Sequence, residues 1–298
     1  MAARVRLAVT LGDPRGIGPE VVRKALADPR VAGAIEATVV GPNGTEQAPD
    51  LATGSWTPAG TVAEAGRLAG LAIQRAVRLA QSGAVQGIVT GPIDKAALAA
   101  GGFDYPGHTE MLAALTQSTV AMMLASDRLR VVLATTHIAL RDVPAAVTAE
   151  AIQRTAVVTV RGLRDWYGIA EPRVALCGLN PHLGEGGRFG TEDADLLAPA
   201  ARSAGLAGPF SADTVFVRAM GGEFDAVIAP YHDVGMTAIK VASFGRAVNV
   251  TLGLPFPRTS PDHGTALDIA GTGRARADSM AEALLACATL AGRLAPAA

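Results

Sequence analysis

Short apolar runs recur along this chain, and each is closed by a loop rich in Gly, Pro, Thr, Asn or His. Val131-Val132-Leu133-Ala134, Val174-Ala175-Leu176-Cys177 and Ala226-Val227-Ile228-Ala229 are three of them. Runs of this kind read as strands buried on both faces, as a parallel sheet requires. Helical stretches separate them. The clearest sets Val62, Ala65, Leu68, Ala69, Ala72, Ile73, Ala76, Val77 and Ala80 along one face, with Glu64, Arg67, Gln74, Arg75 and Arg78 on the other. Strands alternating with helices confine the chain to an α/β architecture with a largely parallel sheet.

Further strands are expected at Val5–Thr10, Thr38–Val40, Val85–Val89 and Ala247–Leu252, and further helices at Pro19–Leu26, Thr148–Trp166, Glu192–Ala204 and Met280–Leu294. Pro19 suits a first helical turn, where its missing N–H costs nothing. The stretch from Gly41 to Gly60 reads as a loop or irregular insert. The 298 residues show no internal repeat, low-complexity tract or clean linker. One unit is expected, with two lobes, 1–115 plus 240–298 and 116–239.

Aromatics make up only 4% of the chain, so Ala, Val, Leu and Ile must build the core. A formal net charge of −1 gives no electrostatic reason to expect nucleic acid or an anionic membrane as partner. Cys177 and Cys287 are far apart, and Cys177 lies in a strand-like run, which favours an inert buried thiol over a redox role. The N-terminus lacks a signal-peptide pattern, and no apolar stretch reaches the about 18 residues of a membrane span. A soluble, cytoplasmic protein is expected.

Residues just past the carboxyl ends of parallel strands line the ligand crevice of an open α/β sheet. His137, His182 and His232 each stand there, and three imidazoles from three strands suit a catalytic Zn²⁺ or a neighbouring transition ion. Their separations match no compact zinc motif, and each could instead hydrogen-bond its own turn. A second group is cationic: Lys240, Arg246 and Arg258, with Asn249 on the intervening strand, could hold a phosphate or carboxylate, or could be solvated surface charge. His108 and Thr109 precede a short helix, so Thr109 is either an N-cap or a substrate contact. Gly12-Asp13-Pro14-Arg15-Gly16-Ile17-Gly18 is not a dinucleotide fingerprint, because the spacing differs and Pro14 intrudes.

With these segments assembled, the chain resembles the 4-hydroxythreonine-4-phosphate dehydrogenase family of vitamin B6 biosynthesis, nearly end to end. The likeness rests on Gly12-Asp13-Pro14-Arg15-Gly16-Ile17-Gly18-Pro19-Glu20, Thr90-Gly91-Pro92-Ile93 with Lys95, Gly107-His108-Thr109-Glu110 and Ala134-Thr135-Thr136-His137. It continues through Leu179-Asn180-Pro181-His182, Tyr231-His232-Asp233, Gly253-Leu254-Pro255-Phe256 with Arg258, and Asp262-His263-Gly264-Thr265-Ala266-Leu267. The resemblance implies a fold similar to isocitrate and isopropylmalate dehydrogenases, with two lobes and an intervening cleft. It implies a divalent metal (Zn²⁺ first, then Mn²⁺, Co²⁺ or Mg²⁺) on His137, His182 and His232. It implies substrate contacts from His108, Thr109, Lys240, Asn249 and Arg258, and a homodimer whose active site takes metal ligands from both subunits. Gly264, Thr265, Ala266 and Asp268 would hold the adenosine part of NAD or NADP.

The activity so implied is NAD(P)-linked oxidation of the secondary alcohol of 4-phosphooxy-L-threonine, then decarboxylation to 3-amino-2-oxopropyl phosphate. Asp233, Lys240 and His263 are the candidate proton acceptors. Asp94 stands where relatives commonly carry His or Asn, and Val234 where many carry Gln, which puts the substrate in question more than the chemistry. The broader family includes 4-phospho-D-threonate and 4-phospho-D-erythronate dehydrogenases, and dihydrodiol dehydrogenases that tend to lose the metal histidines. Two readings from other classes are a metal-dependent lyase or acyl/phosphoryl transferase on the same scaffold, and a non-catalytic binding protein.

Overall fold

A computed structural model of the chain describes residues 4–243 and 246–294. Strands β1 (Val5–Thr10), β2 (Ile35–Asn43), β3 (Leu51–Ser55) and β4 (Gly87–Thr90) come first. There follow β5 (Ala121–Ala125), β6 (Arg130–Leu133), β7 (Val174–Cys177), β8 (Ala207–Phe210) and β9 (Ala226–Ala229). Last come β10 (Val248–Leu252) and β11 (Arg258–Ser260). Contacts divide the chain into two units: Met1–Ser118, Val248–Val250 and Leu254–Ala298 form the first, Thr119–Ala247 and Thr251–Gly253 the second.

In the first unit the strand order is β3-β2-β1-β4-β11-β10. All neighbours are parallel except β10 and β11. Leu7, Ala8 and Val9 of β1 are wholly enclosed, which accounts for the unbroken apolar run. The helix Val62–Gln81 starts from a capping box, in which Thr61 Oγ1 accepts from Glu64 N and Glu64 Oε2 accepts from Thr61 N. Its Ala- and Leu-rich face is buried, and at Gly66 a Cβ would lie 1.7 Å from Ala97 O. Only glycine permits that approach of the helix Lys95–Ala100, whose N-cap is Asp94. Gly12, with φ +73 and no room for a Cβ against Pro92 O, ties the loop after β1 to the loop after β4.

In the second unit the order is β5-β6-β9-β7-β8, antiparallel at β5–β6 and parallel elsewhere. Val131, Leu133, Ala175, Val227 and Ala229 pack with Met236 and Ile239 of the helix His232–Ser243 into its core. The helix Ala149–Asp165 is N-capped by Thr148, whose Oγ1 accepts from Ala151 N. Among the described residues no helix is long and apolar enough to cross a membrane.

Several expectations are corrected. Gly41 to Gly60 contains the end of β2 and all of β3, a half-exposed strand that pairs Leu51 with Val40 across an irregular register. Leu-Ala-Thr-Gly-Ser carries no two-residue hydrophobic alternation, so edge pairing alone makes it a strand. The expected helix from Glu192 opens as a π-helical turn, Asp193–Leu197, before Ala198–Ser203. Lys240 lies in the helix His232–Ser243, and Arg258 lies on a buried strand, which sets aside solvated surface charge for Arg258.

Candidate active site

β6 and β9 are parallel neighbours with Leu133 opposite Ala229, so their carboxyl ends open side by side. Ala134 N donates to Ala229 O at 2.9 Å, and the enclosed Thr135 hydroxyl donates to Pro230 O at 2.7 Å. These bonds tie the two strand-end loops together and bring the rings of His137 and His232 to 5.4 Å between centroids. His232 Nδ1 lies 2.7 Å from Asp233 Oδ1, an arrangement that leaves Nε2 as its outward nitrogen. β7 borders β9 on its other side, and His182 follows β7. The three histidines thus stand at the same end of three adjacent strands. Only His137 and His232 come together, and among the described residues no three His, Cys, Asp or Glu groups could hold a metal within one chain. An exposed and a half-buried imidazole have the chemistry of a transition-ion half-site, and the third imidazole would have to approach from elsewhere.

The first unit gathers a cationic pocket. Arg258 of β11 is 1% exposed, and its Nη2 donates to Thr90 Oγ1 at 2.5 Å. Burial holds its pKa down to about 10. His108, the first residue of the helix His108–Thr116, has an enclosed Nε2 that makes no hydrogen bond. Burial, then the charges of Arg258 and Lys95, push its pKa well below the usual range, so the ring is neutral near pH 7. Asn249 Oδ1 on β10 is another enclosed oxygen without a hydrogen-bond partner. Two enclosed polar atoms without partners beside a buried guanidinium have bonding capacity that a ligand or a water can fill.

Thr109 is the second residue of that helix, whose N-cap is Gly107, so the N-cap reading of Thr109 is set aside. Lys240, Asp233 and the exposed Arg246 belong to the second unit. Thr90 and Lys95 were not singled out from sequence as pocket residues. The signal was their place in and just after the strand-end stretch Thr90-Gly91-Pro92.

The loop holding Gly264, Thr265, Ala266 and Asp268 is fastened to the start of the helix Gly18–Leu26. Ile17 N donates to Thr265 O at 2.9 Å, and a Cβ at Gly16 would meet that carbonyl oxygen at 2.7 Å. Ala266 has φ +43, a left-handed conformation held by this stitching. Further along, Lys24 Nζ donates to Glu20 Oε1, Gly273 O and Ala275 O, and Glu20 Oε1 also accepts from Ala275 N. Beside this loop lies a cavity of about 390 Å³ lined by Arg15, Gly16, Glu20, Trp56, Ala270 and Gly271. Arg15 is aimed by a two-point ion pair with the buried Asp13 and lies 3.5 Å from Asp94. His263 Nδ1 contacts Gly264 O at 3.0 Å, and its Nε2 is enclosed without a hydrogen bond.

Both cysteines are buried, and burial raises each thiol to about 12, so neither is a thiolate nucleophile at neutral pH.

The family described as "Pyridoxal phosphate biosynthetic protein PdxA" matches residues 20–287. The chain is 43% identical to a 4-hydroxythreonine-4-phosphate dehydrogenase from Desulfosudis oleivorans, over 95% of each chain. It is 42% identical to a D-threonate 4-phosphate dehydrogenase from Salmonella typhimurium, over 92% of this chain and 95% of the other. The crystal structure of a 4-hydroxythreonine-4-phosphate dehydrogenase from Klebsiella pneumoniae superposes with a TM-score of 0.86 at 40% identity, covering 96% of this chain and 99% of that one. The fold extends to a β-decarboxylating dehydrogenase from Thermococcus kodakarensis, with a TM-score of 0.54 at 15% identity over 94% of this chain and 82% of that one.

Proposed function

The chain belongs to the PdxA family of pyridoxal phosphate biosynthetic proteins, and from that membership we propose that it oxidises the secondary alcohol of 4-phosphooxy-L-threonine. Bound NAD or NADP would supply the hydride acceptor, and the β-keto acid product would lose carbon dioxide to give 3-amino-2-oxopropyl phosphate. The observation that carries this reading is the enclosed Arg258 beside neutral His108 and Asn249. A buried guanidinium beside the site suits an anionic substrate group, and an uncharged imidazole can hydrogen-bond a phosphate or hydroxyl oxygen without adding a charge.

In the proposed division of labour the first unit is the nucleotide lobe. Gly264, Thr265, Ala266 and Asp268 hold the adenosine part of the cofactor, and the neighbouring cavity supports that reading. Arg258, Asn249, His108 and Thr109, with Lys240 of the second unit, bind and orient the anionic ends of the substrate. Binding energy gathered away from the reacting carbon is thereby used for orientation. His137, His182 and His232 hold the divalent ion, Zn²⁺ first among Mn²⁺, Co²⁺ and Mg²⁺. When bound, it supplies electrophilic pull on the substrate hydroxyl. Asp233, Lys240 and His263 are the groups proposed to take the hydroxyl proton, and the free lone pair on His263 Nε2 supports the last.

The protein is proposed to work as a homodimer with a shared active site. The pairing of His137 with His232 apart from His182 supports ligands drawn from two copies. A second reading, oxidation of 4-phospho-D-threonate or 4-phospho-D-erythronate, is favoured by Asp94. This carboxylate caps the helix that begins at Lys95 and faces Arg15, where relatives commonly carry His or Asn.

The test is NAD⁺ or NADP⁺ reduction followed by absorbance with added Zn²⁺, Mn²⁺ or Co²⁺ on all three phosphorylated acids. Preference for 4-phosphooxy-L-threonine is the expected result, and preference for either sugar acid would install the second reading. Silence on all three, with metal bound, would overturn the substrate class.

A further inference from the structure

The segment after β7 is held in a costly conformation. His182 (φ 50), Leu183 (φ 59), Gly184 (φ 82), Glu185 (φ 45), Gly186 (φ 70) and Gly187 (φ 92) are left-handed in unbroken succession. Three of the six carry a Cβ, which in this region crowds the following carbonyl oxygen. Such backbone persists only where its surroundings over-determine it, and it concentrates at functional sites.

What over-determines it here is Asp193. The π-helical turn Asp193–Leu197, itself a rare geometry, turns this side chain inward until it is 1% exposed. Its Oδ1 accepts from Leu179 N at 2.7 Å and its Oδ2 from Asn180 N at 2.9 Å. Glu192 Oε2 accepts from Asn180 Nδ2 at 2.8 Å. The residues just before the left-handed segment are therefore fastened to those that follow it by a buried carboxylate and an adjacent one. Within it, Phe189 N donates to Gly184 O, and a Cβ at Gly184 would meet Gly190 O at 2.2 Å, so the turn closes tightly on itself. Both oxygens of Asp193 are committed to backbone amides, which leaves it no direct part in chemistry.

We infer that Asp193 is a positioning residue: by clamping Leu179 and Asn180 it fixes the left-handed turn, and with it the direction of the His182 imidazole. The inference rests on the proposed role of His182 as a metal ligand. It adds a residue that aligns this ligand through the backbone rather than through a bond to its ring. A merely structural role would lower thermal stability and leave metal affinity alone.

The test compares full-length wild type with Asp193→Asn, His182→Ala and, as a control on the same turn, Asp195→Asn, whose side chain is exposed. Zn²⁺ affinity is measured by chelator competition, and amide hydrogen exchange is followed across residues 179–190. An Asn at 193 keeps the shape but offers one carbonyl oxygen to two amides. Expected results are metal binding weaker by about tenfold or more for Asp193→Asn, faster exchange across the turn, and wild-type behaviour for Asp195→Asn. If Asp193→Asn does not fold by circular dichroism, Glu192→Gln takes its place, with a smaller loss of affinity expected in the same direction. A folded Asp193→Asn, or the Glu192→Gln substitute, that binds Zn²⁺ as wild type while His182→Ala does not would overturn the inference alone. His182→Ala binding as wild type would instead bring down the metal assignment and the inference with it.

Discussion

Replacing Arg258 by Met should separate the cost of the pocket from its use. The guanidinium is enclosed, and burial holds its pKa at about 10 against an ordinary 12.5. That depression corresponds to roughly 3 kcal/mol against the charged form. Against it stands the charge-assisted bond to Thr90 Oγ1, which contributes about 1.5–3 kcal/mol. Met fills a similar volume and removes both effects, so the ligand-free protein should change by no more than about 1–2 kcal/mol. Substrate binding should behave differently. Loss of a desolvated cation opposite a phosphate or carboxylate costs about 2–4 kcal/mol, roughly 30- to 1,000-fold in kcat/KM. Thermal unfolding with and without the phosphorylated substrate reads both quantities. At a concentration about 100 times the wild-type Kd, ligand adds about 2.7 kcal/mol to wild type. A variant binding about 100-fold more weakly gains only about 0.4 kcal/mol. An Arg258→Met protein several kcal/mol less stable, yet still stabilised by substrate like wild type, would make Arg258 a structural pin and refute the reasoning.

The histidine set makes a sharper statement about stoichiometry: His137→Ala, His182→Ala and His232→Ala should each lower bound metal per chain, measured by atomic absorption, and a variant retaining full metal leaves the ligand set. His108 predicts a pH dependence. Its pKa is lowered on folding, so below about 6.5 the unfolded chain takes up a proton that the folded chain refuses. Stability should therefore fall with acid from pH 6.5 downward, at up to about 1.4 kcal/mol per pH unit, and be insensitive to this group above it. Melting temperatures of wild type and His108→Asn across pH 5 to 8 would show it as a shallower slope in the variant. Lys24→Met removes the two contacts that hold Gly273 and Ala275, and the ion pair to Glu20. It should raise KM for the dinucleotide by about five- to thirtyfold, from about 1–2 kcal/mol of lost ordering, with kcat little changed in initial-rate kinetics.

The parts of this fold legible in the sequence are those where burial is two-sided or caps are local. β1, β6, β7 and β9 announce themselves as apolar runs because both faces meet protein. The helix Val62–Gln81 is legible through its stripe and its Thr61–Glu64 box. β3 and β8 are not, since Leu-Ala-Thr-Gly-Ser and Ala-Gly-Pro-Phe become strands only by pairing with β2 and β7. The burial of Arg258 is illegible for an allied reason: a charged residue between Pro257 and Thr259 carries no local sign of it, and Thr90 reaches it from a distant part of the chain.

The same limit shapes what could be seen of the site. Periodicity places a histidine at a strand end, but it says nothing about which strands are neighbours. The order β6-β9-β7 is what pairs His137 with His232 and leaves His182 on the far side. Nor does any local pattern announce Asp193. In sequence it is one of three carboxylates between Thr191 and Leu196, and the other two, Glu192 and Asp195, are not enclosed as it is. It takes the π-helical turn to send one of them inward, toward amides more than ten residues earlier in the chain. A carboxylate selected by backbone geometry rather than by spacing is a kind of positioning residue that sequence patterns pass over. Substitutions at Asp193 and Asp195, chemically alike and two positions apart, should therefore differ sharply in their effect on the turn.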